Sequence, residues 1–236
     1  MTKPEDKALV GSAEPSSAVD AFLETAGKVP APQQSARGRL IFALDATMSR
    51  QPTWDLAISL QSKMFDAAAV FGGLDVQLVY FRGHSECRAS RFVAGGAGLA
   101  RLMQQIDVRG GQTQIRKVLE HARGETRRAP LGALVYVGDA MEERIDDLAA
   151  IAGELGILGV KAFMFHEGND ATAADAFREI ARLTGGVFAA FDASAPGKLA
   201  ALLAAAAAYA AGGRSALEQQ ALDGGEVARA LLAQMR

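Results

Sequence analysis

Two aspartates and three hydroxyl residues of this chain are spaced so that they can meet at one point. They lie in three separate pieces: Asp45-Ala46-Thr47-Met48-Ser49, Gly110-Gly111-Gln112-Thr113, and Asp139. Asp45 follows the apolar run Leu40 to Leu44, and Asp139 follows the run Leu131 to Val137. Each aspartate therefore stands where a buried strand gives way to a loop. In an open α/β sheet, ligands bind beyond the carboxyl ends of the strands. Two carboxylates and three hydroxyls are all hard oxygen donors. Such a set suits Mg²⁺ (or Mn²⁺ in its place), which takes six oxygens in near-octahedral geometry and keeps some of its waters. Each residue also has a plainer use. Asp45 alone reads as a cap for the following turn or helix, and Thr113 as an N-cap. It is the combination that points to a metal.

The elements that must position these residues alternate. Strands are expected over Gly38 to Leu44, Asp75 to Phe81, Arg88 to Val93, Leu131 to Val137, Val160 to Phe165 and Val187 to Phe191. Helices are expected over Thr53 to Phe71, Leu99 to Ile106, Gln114 to Ala122, Glu142 to Leu155, Ala173 to Leu183 and Pro196 to Ala210. Strands separated by helices of ten or more residues predict a parallel sheet covered on both faces. The unbroken apolar runs suit central strands buried on both sides. The one strand-to-strand step, from Phe81 to Arg88, predicts a short antiparallel hairpin at an edge. The fold class is thus α/β: a doubly wound, mostly parallel six-stranded sheet with one short antiparallel edge strand and helices on both faces.

Asp-x-Thr-x-Ser after a first strand, Gly-Gly-x-Thr before a helix and Asp after a later strand resemble the metal-ion-dependent adhesion site of von Willebrand factor type A domains. The resemblance covers roughly Gly38 to Ala211. It implies a Rossmann-like sheet, a divalent cation, and a partner protein that completes the coordination with an Asp or Glu carboxylate. Carried over, it implies that Thr47, Ser49 and Thr113 offer hydroxyls to the metal, while Asp45 and Asp139 act mainly through bound water. It also implies that the Thr113 loop can shift when ligand binds. Met48, Gly138 and Ala140 depart from the usual pattern, where a small residue, Thr and Gly are common; none of these removes a proposed ligand. The family includes cytosolic bacterial members that work beside hexameric ATPases, so an AAA+ ATPase is one partner class it suggests.

With 25 basic and 27 acidic residues the formal net charge is −2, and no long basic run occurs, which argues against nucleic-acid binding. The cluster Arg123, Arg127 and Arg128 reads as a solvated helix end. A single cysteine, Cys87, excludes an internal disulfide and suits a reducing bacterial cytoplasm. No signal-peptide pattern stands at the start, and the Ala-rich stretch Leu199 to Ala211 is too short to span a bilayer. Residues 1–37 read as a flexible leader. Within it Ser17 can cap a short helix bearing Val19, Phe22, Leu23 and Ala26 on one face. The domain proper is 38–211. Residues 212–236 read as a tail, helical in part, whose Leu217, Leu222, Val227, Leu231 and Leu232 need cover.

His84 and His166 each follow an expected strand and are candidates for the rim of the site, with Arg50, Arg82 and Asn169 beside them. Trp54 reads as a packing residue. No nucleophile elbow, phosphate-cradling lysine loop or dinucleotide fingerprint occurs, so the chain is expected to have no catalytic residues and to act as a binding module. One enzymatic alternative stands. Asp45 with Gly138-Asp139 and Glu143 is also similar to haloacid-dehalogenase-type phosphohydrolases, in which the first aspartate attacks phosphorus and the later acids hold Mg²⁺. Their general acid sits two residues after the nucleophile, where this chain has Thr47.

Overall fold

The computed structural model describes residues 37–47, 51–192 and 194–235. In chain order the elements are β1 (Gly38–Asp45), α1 (Gln51–Ala69), β2 (Leu74–Arg82), β3 (Glu86–Val93), α2 (Gly96–Gln104), α3 (Ile115–Arg128), β4 (Ala133–Gly138), α4 (Ile145–Ile157), β5 (Lys161–Glu167), α5 (Ala171–Thr184), β6 (Val187–Phe191), α6 (Pro196–Leu222) and α7 (Glu226–Leu232). The sheet runs β3-β2-β1-β4-β5-β6. All neighbours are parallel except β2 and β3, which form the expected antiparallel edge hairpin. From β1 the chain winds outward to β2 and β3, then returns to β4 on the other side of β1. The winding therefore reverses between β1 and β4, where Leu44 lies opposite Val137.

Alternation along β1 divides the core. Leu40, Phe42 and Leu44 face one layer with α1, α2 and α6, whereas Ile41 and Ala43 face the other with α3, α4 and α5. Both sets are essentially inaccessible to solvent. This is why the strand reads as one unbroken apolar run: with both faces covered, no position is left for a polar side chain. Trp54 is a packing residue, its indole N–H donating to the Met103 carbonyl at 3.3 Å.

Most helix boundaries differ from expectation by two or three residues, and three of the differences have a traceable cause. α3 continues past Ala122 to Arg128 because its polar second half finds partners. The nearly buried Glu125 takes Arg39 at 2.9 Å and Arg128 at 2.6 Å. α4 begins at Ile145, so Glu142 and Glu143 precede it and only Asp146 and Asp147 are acidic residues of its first turn. α6 passes through the Gly212-Gly213 breaker and ends at Leu222, with a kink where Gly213 adopts φ 69° and ψ −158°. Glycine reaches that conformation without steric cost, and beyond it Ala216 is buried and Leu217 packs in the layer that holds Leu40, Phe42 and Leu44.

Residues 214–235, expected as a tail, continue into this layer: Ala228, Leu231 and Met235 are buried there too. The Gln234 amide oxygen accepts the Phe188 N–H at 3.0 Å, closing part of the β6 edge. α6 is long and apolar enough to cross a membrane by length and composition, unlike the shorter stretch read from sequence, but more than half of that stretch is buried inside the protein. The expected leader lies outside the described residues except for Arg37, which binds Asp75 at 2.7 Å and the Leu74 carbonyl at 2.7 Å.

Candidate metal centre

In a doubly wound sheet the crevice that takes ligands lies outside the carboxyl ends of the strands where the winding reverses, here those of β1 and β4. Asp45 ends β1, and Asp139 follows the last residue of β4. The third piece is brought in by backbone bonds. The Arg109 N–H donates to the Ala46 carbonyl at 3.0 Å, so the segment before Gly110 is pinned between Asp45 and Thr47. The segment is also tied to the β2–β3 hairpin. Gly83 N–H reaches the Gly110 carbonyl at 3.2 Å, and Gln112 N–H reaches the Gly83 carbonyl at 3.0 Å. A Cβ on Gly111 would stand 2.2 Å from the Gly83 nitrogen, so this approach requires glycine.

Asp45, Thr47 and Thr113 are all nearly buried, at 4 %, 9 % and 8 % exposure, although each sits at the end of the sheet. Asp45 performs the plainer role as well: its Oδ1 accepts the Thr47 N–H at 2.8 Å, shaping the turn. Ser49, with Met48 and Arg50, lies outside the described residues. The structure therefore brings the Asp45–Thr47 turn, the Thr113 loop and the start of the Asp139 loop to one end of the sheet, and Ser49 is not placed.

Two residues unassigned as clamps from sequence hold Thr113 and the helix start after it. Its N–H donates to Glu142 Oε2 at 2.9 Å, and its hydroxyl oxygen accepts the Glu142 N–H at 3.0 Å. Glu143 then caps α3, accepting the N–H groups of Ile115 at 2.5 Å and Arg116 at 3.0 Å. Gln114, the residue at the N-cap position, makes no side-chain cap bond, so the local sequence lacks what Glu143 supplies. Thr113 is thus not the plain N-cap of the helix after it. A hydroxyl oxygen has two lone pairs and one proton, so the bond from Glu142 leaves acceptor capacity for a cation. The only sequence signal for this clamp is an acidic pair shortly after Asp139, and helix-start acids give the same pattern.

Packing leaves no room for a side chain at Gly138. A Cβ there would lie 2.8 Å from Tyr136 Cε1. The Tyr136 ring cannot give way easily, because it stacks on Phe81 at 6.0 Å and meets Phe177 edge-on at 5.2 Å. Among the rim candidates, His84 is exposed at the hairpin tip beside Gly83, and Asn169 is exposed after β5. His166 does not belong to the rim. β5 extends beyond it to Glu167, which leaves its ring 2 % exposed, between Phe177 at 5.6 Å and Phe188 at 6.3 Å. Arg82 is engaged by Glu86 at 2.9 and 3.1 Å and by the Asp107 carbonyl. That guanidinium holds the Glu86 carboxyl below its ordinary range and is itself raised by the pairing. Cys87 is pushed up to about 11 by burial.

The donor set fits a hard cation held through hydroxyls and water-borne carboxylates. Among the described residues no group of three or more His, Cys, Asp or Glu is placed to hold a metal.

Strand order, antiparallel edge and switch-point crevice define a doubly wound α/β protein with its candidate site above β1 and β4. The chain has the von Willebrand factor type A fold. Proximal thread matrix protein 1 from the mussel byssus, in a structure with a zinc-occupied metal-ion-dependent adhesion motif, is similar at a TM-score of 0.57 and 17 % identity, over 72 % of this chain and 46 % of that one. The chain thus spans about half the length of the mussel protein. The SpRpn10 VWA domain matches at a TM-score of 0.56 and 11 % identity, over 73 % of this chain and 94 % of that one. The vWF domain of the type V pili tip protein Mfa5 from Porphyromonas gingivalis matches at 0.55 and 11 % identity, over 80 % and 96 %. No protein-family model matches the sequence, and no curated protein matches it significantly.

Proposed function

We propose that this chain is a metal-dependent protein-binding module. A divalent cation, Mg²⁺ or Mn²⁺, is held by the hydroxyls of Thr47, Ser49 and Thr113, with Asp45 and Asp139 acting through water. The observation that carries this reading is the clamp at the switch point. Thr113, a residue with a hydroxyl and no charge, is fixed by two reciprocal bonds to Glu142 beside the ends of β1 and β4. Neutral hydroxyl ligands leave a cation most of its charge, which favours an incoming carboxylate. The partner is accordingly a protein that presents Asp or Glu. By family resemblance an AAA+ ATPase is one such partner class, and the single Cys87 is compatible with a reducing bacterial cytoplasm. The zinc-occupied motif of the mussel protein supports a divalent ion on this fold.

The phosphohydrolase alternative has less support. Its second acid, Glu143, is engaged by the α3 amides, and a threonine at position 47 cannot protonate a leaving group as a carboxylic acid does. Affinity capture from a bacterial lysate tests the proposal, in Mg²⁺ and in EDTA, with the wild-type chain and Asp45→Ala. Partners retained only by wild type in Mg²⁺ are expected. Equal recovery in all conditions refutes metal-dependent recognition, and turnover of a phosphate ester abolished by Asp45→Asn establishes the alternative.

A further inference from the structure

The charged groups around the crevice are unequally engaged. Its carboxylates are mostly held internally. Glu86 is bound by Arg82, Glu142 and Glu143 by the amides of Thr113, Ile115 and Arg116, and Asp170 by the Ala173 N–H at 3.0 Å. Asp107 is exposed, in the field of Arg82. The cations differ. Arg109, Arg144 and His84 are exposed and make no side-chain hydrogen bond or ion pair among the described residues. Arg109 is the best placed of them. Its own N–H is fixed to the Ala46 carbonyl at 3.0 Å, between two of the proposed metal-holding residues, so its backbone is rooted beside the cation site, and its guanidinium, in the field of Glu86, makes no hydrogen bond or ion pair among the described residues.

Resting on the metal-binding reading above, we propose that the partner segment carries two carboxylates, one for the cation and a second for Arg109. A second carboxylate three residues from the first lies about 10 Å away along an extended chain. The metal contact alone accepts any exposed carboxylate. The Arg109 contact makes the site a reader of a spaced acidic pair, which adds selectivity at a modest gain in affinity because an exposed ion pair is weak.

Two synthetic capped hexapeptides test this, one with the core Asp-Ala-Ala-Asp and one with Asp-Ala-Ala-Asn. They are titrated to millimolar concentration into the full chain at low salt, in Mg²⁺ and in EDTA, with amide NMR as readout. Wild type in Mg²⁺ is expected to bind the diacid about threefold more tightly than the monoacid. The preference disappears in Arg109→Ala, with monoacid affinity unchanged, and persists in Arg101→Ala, a control on the exposed face of α2. Equal binding of the two peptides by wild type, or a preference that survives Arg109→Ala, overturns the inference and leaves the metal reading intact. Binding that is the same in EDTA, or no binding by either peptide, overturns both.

Discussion

Glu143 offers a direct test of how the site is held. Its carboxylate accepts two N–H groups at the start of α3, a helix with no side-chain cap of its own and no acidic residue in its first turn. Replacing it by alanine leaves those donors to water. Loss of a capping acceptor costs about 1 kcal/mol. Loss of a negative charge at a helix N-terminus costs roughly 0.3–1 kcal/mol more. For a chain of this size each kcal/mol moves the midpoint by about 2–4 °C. Glu143→Ala should therefore lower Tm by about 3–8 °C. Glu143→Gln keeps an uncharged acceptor and should lose roughly half as much. The assay is thermal unfolding followed by circular dichroism in EDTA at neutral pH, so that no cation contributes. Both variants melting with wild type in EDTA would refute the capping assignment. If in addition they alone lost the stabilisation that Mn²⁺ gives wild type, Glu143 would be a metal ligand and the phosphohydrolase reading would gain.

Two further outcomes follow from packing and burial. Gly138→Ala places a methyl against the Tyr136 ring and should destabilise by about 1–3 kcal/mol; the penalty should shrink in a Tyr136→Leu background, and an undiminished penalty there would show that the ring is not the obstacle. Cys87 should react sluggishly with a thiol-directed disulfide reagent at pH 8. Raising its pKa from 9.0 to about 11 cuts the thiolate fraction about 100-fold, while greater intrinsic nucleophilicity returns roughly tenfold, so a rate about tenfold below that of an ordinary cysteine is expected. An unhindered rate would contradict the burial of this thiol.

The sheet was legible in the sequence because its central strands are covered on both faces. Leu40 to Leu44 and Leu131 to Val137 have almost nowhere to place polar groups, so their unbroken apolar runs mark them. The two aspartates were legible for the related reason that each follows such a run. What was not legible depends on contacts across the chain. Glu142 and Glu143 look like acids of a helix start, yet Glu142 clamps Thr113 and Glu143 caps the helix that begins just after it, nearly thirty residues earlier. Gly212-Gly213 looks like a stop, but Leu217 has a place in the core and the helix resumes after a kink. His166 looks like a rim residue until β5 is seen to extend past it between two phenylalanines. Arg109 carries no local motif; only its backbone bond to Ala46 places it at the site.

The central claim is that Asp45, Thr47, Ser49, Thr113 and Asp139 hold one divalent cation. Calorimetric titration of Mn²⁺ into the metal-free chain tests it most directly, with Asp45→Ala, Thr113→Ala and Asp146→Ala, an exposed carboxylate outside the proposed set, in parallel. One Mn²⁺ per chain is expected, displaced by excess Mg²⁺. Removing the water-mediated Asp45 should weaken it by about 10–100-fold, Thr113→Ala should weaken it clearly, and Asp146→Ala should bind as wild type does. Equal Mn²⁺ affinity in wild type and Asp45→Ala would contradict the account.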